Sequence, residues 1–217
     1  MTYRLMYDSN VLDDIPADAR IAASYGTGPY AVNIGQFIQR FPSVPRVLID
    51  ITGEDPQGCS VLDVENGAAT PADAPAWIRD RLRTAGNYAI VYCALDTMSS
   101  VMGATGDLIH GKDYWFWIAN PEWNFATAQS YADNTPGVIG VQYQWPGYGS
   151  PGHYDVSVIT ANWWHADPAP VTVPKPPVVP GVRYGTVFTQ DPDWASAAHP
   201  QQVQVISRDG GVTWVKP

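Results

Sequence analysis

Short apolar runs of strand length recur along the first three quarters of the chain. They are YRLMYD (3–8), RIAASYG (20–26), RVLIDIT (46–52), SVLDVE (60–65), YAIVYCAL (88–95), YWFWIA (114–119), VIGVQYQW (138–145) and HYDVSVI (153–159). Several are almost continuously apolar, the pattern of strands covered on both faces, as in a parallel sheet wrapped by helices. Between them the period changes. AVNIGQFIQRF (31–41) clusters Val32, Phe37, Ile38 and Phe41 at helical spacing, and TPADAPAWIRDRLRTAG (70–86) does so with Trp77, Ile78 and Leu82. The second carries a start signal in Thr70-Pro71 with Asp73, and Gly86 as a stop. TMSSVMGATGDLIHG (97–111) and NPEWNFATAQSYADN (120–134) show the same period more weakly. The stretch from Thr52 to Ser60 and the one after Trp145 are too short for a crossover helix. This alternation predicts an α/β fold, an irregular (β/α)8-type, TIM-like barrel with some helices missing on one side.

After Trp164 the pattern ends in HADPAPVTVPKPPVVPGV (165–182), whose proline content marks an extended, semi-rigid linker. The expected organisation is a barrel over 1–165, a Pro-rich linker over 166–182 and a small β-hairpin tail over 183–217. The tail holds two β-like runs, YGTVFTQ and QQVQVISRDGGVTWV, and is too small for much core of its own, so it should dock on the barrel or on a partner. Within it, Ser207-Arg208-Asp209-Gly210-Gly211-Val212-Thr213-Trp214 resembles the Asp-box turn of sialidases and other β-propellers. One copy supports a hairpin turn and neither a propeller nor sialidase chemistry.

Charge narrows the class of partner. Twelve Lys and Arg against 21 Asp and Glu give a formal net charge of −9, with no basic stripe of the kind that nucleic acid or an anionic membrane surface requires. No apolar run approaches the length of a membrane span, and MTYRLMYDSN lacks the features of a secretory signal. Cys59 begins one strand and Cys93 ends the next, which predicts two free thiols, since a disulfide needs Cα atoms within about 7 Å. His110, His153, His165 and His199 show no ligand spacing and two cysteines are too few for structural zinc, so no metal or other cofactor is expected. There is no G-x-S-x-G elbow for a serine hydrolase.

Candidate chemistry lies in the acids that end the strands. In VLDVENG (61–67), Asp63 and Glu65 are two apart, so both side chains point to one face. Two carboxylates confined together repel, and burial penalises the charge of each, so one holds a proton near neutral pH while the other stays ionised, as acid-assisted glycoside cleavage requires. The plain alternative is a pair of solvated acids at a strand-to-loop junction or a helix N-cap. In (β/α) barrels the strand C-termini share one mouth. Asp8 ends the first strand and Asp155 lies in the last, which a closed barrel makes its neighbour, so four acids from three strands converge in one bowl.

These residues resemble glycoside hydrolase family 25, the lysozymes of phages, bacteria and some fungi. MYDSN with Asp8 stands where the family has a G-x-D-x-S pattern, LDVEN with Asp63 and Glu65 where it has D-x-E, and YDVSVI with Asp155 where it has a D-x-N-x-F-like segment. YAIVYCAL and YWFWIANPEW resemble two intermediate family strands, and the likeness spans about residues 1–160. Met6 and Asn10 depart from the family's glycine and serine, Ser157 replaces its asparagine, and the second and third strands match poorly. The resemblance implies a muramidase-like hydrolase cutting the β-1,4 bonds of peptidoglycan, of the phage lysin type. Glu65 would be the proton donor. Asp63 would be ionised, either orienting the N-acetyl group of the cleaved sugar or stabilising the charge that develops at the anomeric carbon. Asp8 and Asp155 would flank the floor. The nucleophile stays unassigned, because carboxylate separation decides it.

The alternative reading is a degenerate barrel, as in glycoside-hydrolase-like domains of actinobacteria, that binds glycan or serves as a structural phage tail or virion protein. On either reading the partners are a peptidoglycan glycan strand and, through linker and tail, virion proteins. The chain would be made in the cytoplasm and act at the cell wall or within a virion. Tyr92, Trp117, Tyr143 and Trp145 fall near strand C-termini and are the candidates for stacking on sugar rings. Asp50 also ends a strand, and is expected to be a hydrogen-bonded structural acid.

Overall fold

The computed structural model describes residues 4–85, 89–160 and 163, together with the backbone of 183–189 and 201–207. Eight strands close into a barrel in chain order: β1 (Arg4–Asp8), β2 (Ala22–Tyr25), β3 (Arg46–Asp50), β4 (Val61–Val64), β5 (Ala89–Ala94), β6 (Tyr114–Ala119), β7 (Val138–Gln144) and β8 (Asp155–Ile159). Strands β1 to β7 are parallel neighbours. The last strand is not: β8 runs antiparallel to both β7 and β1. The barrel is irregular with helices missing, as expected, but the antiparallel β8 departs from the all-parallel sheet of a (β/α)8-type barrel, and the reason is connectivity. A parallel return needs a crossover of a dozen or more residues, usually helical, whereas the loop between β7 and β8 is short and carries no helix.

Four helices are present among the described residues, α1 (Ile34–Arg40), α2 (Ala74–Ala85), α3 (Met98–Thr105) and α4 (Phe125–Asn134), each joining consecutive strands. The chain crosses from β1 to β2 with only a short 3-10 turn at Leu12–Asp14, and from β3 to β4 through a loop. The Asn33 and Asn124 side chains accept from the amides of Gln36 and Thr127, capping α1 and α4. Ahead of α2, the Asp73 carboxylate accepts from the Thr70 amide and hydroxyl at 2.8 and 2.7 Å, so the Thr70-Pro71 signal marks a turn before the helix.

Alternation along the strands sorts the core into two layers. Inward, Met6, Ile21, Val47, Ile49, Val61, Ile90, Trp117, Ile139 and Ile159 fill the barrel, with Trp163 beneath. Gly140 is required there, because a Cβ on it would stand 2.8 Å from Trp163 Cζ3. Outward, Leu62, Val64, Val91, Phe116, Ile118, Val141 and Val158 pack against Ala74, Trp77 and Ile78 of α2, Val101 of α3 and Ala128 of α4. A third cluster seats Phe37 and Phe41 over Ile15 and Ala22. Cys59 and Cys93 are buried and unbridged.

Contact density divides the chain into two units, Met1–Pro170 and Val171–Pro217. In the second, β9 (Arg183–Thr189) pairs antiparallel with β10 (Gln201–Ser207) along their full length. The linker over 166–182 and the Asp-box-like turn after Ser207 lie outside the described residues. No helix among the described residues is long and apolar enough to cross a membrane.

Candidate active site

Four carboxyls meet at the end of the barrel where the parallel strands finish. Asp8 is the last residue of β1, and the antiparallel register of β8 sets its first residue, Asp155, directly across from it. A parallel β8 would have carried Asp155 to the opposite end. Asp63 points inward from β4, opposite Tyr92 of β5, and Glu65 follows one residue beyond β4 on the same face. The charges of Asp155, Asp63 and Glu65 act on Asp8, and that of Glu65 acts on Asp63 and Asp155.

Depth distinguishes them. Asp8 and Asp63 are 2% and 5% exposed, and one oxygen of each, Oδ1, is buried without a hydrogen-bond partner in the protein. Glu65 stands exposed at the rim. Burial, reinforced by the neighbouring carboxyls, lifts Asp8 well above the usual carboxylate range. Burial and the Glu65 charge push Asp63 up to about 8. Asp155 is raised by burial to about 7, against a hydrogen bond from Gln142 Nε2 to its Oδ2 at 3.0 Å. Glu65 is raised by burial of its inner side, with the Tyr92 hydroxyl hydrogen-bonding it and pulling the other way. The site therefore stores protons near neutral pH. It also reverses the expected division of labour at rest: the deep Asp63 holds a proton more firmly than a carboxyl open to water at the rim.

The aromatic candidates divide by the face they occupy. Tyr92 is 8% exposed and forms the wall beside Glu65. Trp117 faces inward as expected but is 1% exposed, packed edge-on against Tyr92 at 4.6 Å, with Nε1 donating to Ser157 Oγ at 3.0 Å. It is floor rather than a sugar platform, and Ser157 is the residue that anchors it. Tyr143 does not enter the bowl. The register of β7 against β8 slips between Gln142 and Gln144, and Tyr143 points outward onto Phe125 of α4, ring to ring at 6.0 Å. The same bulge resets the alternation, so Trp145 turns back to pack partly buried against the interior.

Two inward residues escaped the sequence reading. Tyr25 ends β2, and its phenol is held protonated by burial and by all four carboxyls. Gln142, 4% exposed, positions Asp155. The signal for Tyr25 was its place at the end of RIAASYG, the same logic that selected Asp8. Asp50, by contrast, faces outward and is fully buried. Its oxygens accept from Thr27 Oγ1, from Thr52 N and Oγ1, from the Gly53 and Asp55 amides and from Trp77 Nε1, so it ties the helix-free loop after β3 to α2. Those donors hold its carboxyl below the usual range against the opposing effect of burial.

A groove of about 310 Å³ opens beside Glu65, lined by residues 64–71 and Thr97. A larger depression, about 550 Å³, is lined by residues of α4 and its ends and has no carboxyl in it. Among the described residues no group of three or more His, Cys, Asp or Glu side chains is arranged to hold a metal ion. No family model, curated protein or solved structure matched the chain in comparison.

Proposed function

We propose that the protein is a glycoside hydrolase that cleaves β-1,4 bonds of peptidoglycan, a muramidase-like reaction run by the carboxyls at the barrel mouth. The observation that carries this reading is the convergence of Asp8, Asp63, Glu65 and Asp155 on one opening, from three strands of which one runs backwards. Acid-assisted glycoside cleavage needs one carboxyl that is protonated and reachable by the leaving oxygen, and a second facing the positive charge that develops at the anomeric carbon. Glu65, at the rim beside the groove, has the position of the acid. Asp63, deeper on the same face, has the position of the stabilising carboxylate.

The resting proton on Asp63 is compatible with these roles. The resting and reactive forms of the pair differ in where one proton sits and not in how many are bound. A sugar ring seated over Glu65 removes its water and raises its pKa further. The growing positive charge, or a donating acetamido N–H, lowers that of Asp63. Both changes move the proton outward to Glu65, where it is used. The raised pKa values of Asp8 and Asp155 limit the negative charge that the bowl accumulates as pH rises toward neutrality.

The deciding assay is release of new reducing ends from purified peptidoglycan by the parent chain and by Glu65→Gln at matched folding. Loss of activity by about 100-fold or more is expected for removal of a general acid. The second reading, a barrel that binds glycan or serves a virion without turnover, is favoured by the resting charge distribution and by the separate C-terminal unit. No reducing ends from either chain, with wall binding retained, would establish it.

A further inference from the structure

Among the described residues, the large aromatic side chains most open to solvent are Tyr148 at 60%, Tyr30 at 54% and Phe125 at 41%. All three follow strands β7, β2 and β6 on the side where the carboxyls meet. Phe125 rests on the outward Tyr143 and belongs to the outer layer. The other two each lean on an inner ring that packs against the barrel interior. Tyr30 meets Tyr25 at 6.0 Å, and Tyr148 meets Trp145 at 5.3 Å.

Backbone geometry holds both pairs. The Tyr148 amide donates to Trp145 O at 2.8 Å across Pro146-Gly147, with Gly147 at φ 86°, the sequence and conformation of a type II turn. The loop after β2 folds back in the same manner, with the Val32 amide donating to Tyr25 O at 2.9 Å and Gly28 at φ 73°. Each turn thus fixes an exposed ring above a half-buried one. An exposed ring so fixed gains little from burial, and a tyrosine offers a flat apolar face with a polar edge, the complement of a pyranose with its C–H face and hydroxyl rim.

Strand order locates the pairs relative to the acids. Going round the barrel from β7 to β2, the chain passes β8 and then β1, so the Asp155 and Asp8 carboxyls lie between the two pairs. Three inter-strand steps at about 4.8 Å span about 14 Å, more than one sugar ring covers.

We propose that Tyr30 on Tyr25 and Tyr148 on Trp145 are two sugar-binding platforms, one on each flank of Asp8 and Asp155, and that the mouth engages an oligosaccharide of three or more rings. This rests on the reading of the site as glycan-binding, and adds Tyr25, Tyr30 and Tyr148 to it. The platforms favour interior bonds of a polymer over terminal ones, since both must be filled at once.

The test is calorimetric binding of β-1,4-linked N-acetylglucosamine oligomers to the full chain carrying Glu65→Gln, which prevents turnover. The hexasaccharide is expected to bind at least about tenfold tighter than the disaccharide. Tyr30→Ala and Tyr148→Ala should each weaken the hexasaccharide about 5- to 10-fold, and together they should erase the length dependence. Ile38→Ala, which trims a similarly exposed side chain on α1, should change nothing. Unaltered thermal transitions would show that the substitutions act locally. Hexasaccharide affinity equal to that of the disaccharide, absence of binding to either, or full affinity in both tyrosine variants would overturn the platforms. The hydrolase reading fails separately: length-dependent, tyrosine-dependent binding with no release of reducing ends by the parent chain keeps the platforms and removes the enzyme.

Discussion

Asp8 and Asp155 face each other across the seam where β1 and β8 close the barrel, paired in register by strands that run in opposite directions. Burial contributes most to the raised pKa of Asp8 and the Asp155 charge contributes next. Replacing Asp155 with Asn removes that second contribution and leaves the first. The Asp8 carboxyl should then titrate lower than in the parent and still above the ordinary carboxylate range. A carbon-13 carboxyl titration reads this directly, and an unchanged Asp8 would mean that the two groups do not communicate.

Stability should fall as pH rises through the neutral range. The folded chain raises the Asp63 pKa from 3.8 to about 8, so between those values the folded state keeps a proton that the unfolded state has lost, and each pH step favours unfolding. Asp155, raised to about 7, and Asp8 act with the same sign. Asp63→Asn removes the Asp63 contribution, because the amide carries no charge at any pH. At about pH 8 the variant should melt higher than the parent, by an amount on the order of 3 kcal/mol or about 5 to 10 °C. The gap should close toward pH 4. A Tm series across that range decides it, and a parent whose Tm rises with pH would contradict the assigned proton.

The Asp50 network should show the opposite dependence. Its folded pKa is depressed by its donors, so its contribution is present above the unfolded value and is lost as pH falls through the folded one. Asp50→Ala strands the Trp77 indole and several amides without an acceptor in a buried place. A loss of about 3 kcal/mol or more is expected, read as a lower Tm at neutral pH. Chemical denaturation at neutral pH would expose a smaller role if the variant unfolded at the parent's midpoint.

These contrasts mark what the sequence made legible. The strands stood out because their apolar runs are long for their spacing, and the acids because each ends or opens such a run. The direction of β8 was hidden, since alternation of period two reads the same from either end, and only the short loop before it argued for a reversal. The opposite facing of Tyr143 and Trp145 was hidden for a related reason: the bulge between Gln142 and Gln144 shifts every later residue by one face and leaves no mark in residue type. Tyr25 ends its run as Asp8 ends the first, but a phenol carries no charge to mark it out among strand-end residues. The protonation order of Asp63 and Glu65 depends on depth below the rim, which spacing along a strand does not specify.

Tyr92 offers the most direct handle on the acid. Its hydroxyl hydrogen-bonds Glu65 and opposes the effect of burial, stabilising the charged form of that carboxyl. Tyr92→Phe keeps the ring that packs against Trp117 at 4.6 Å and removes only the hydroxyl. Without it the Glu65 pKa should rise, so the acid stays protonated to higher pH. In the pH dependence of kcat/KM for peptidoglycan cleavage, which reports the free enzyme, the acidic limb, set at rest by Glu65, should move upward, and the basic limb, set by the more firmly held proton of Asp63, should stay where it is. A cost in maximal rate is expected as well, since a weaker acid gives up its proton less readily. The shift is the informative quantity: a purely structural role for Tyr92 would lower the whole profile and leave both limbs in place.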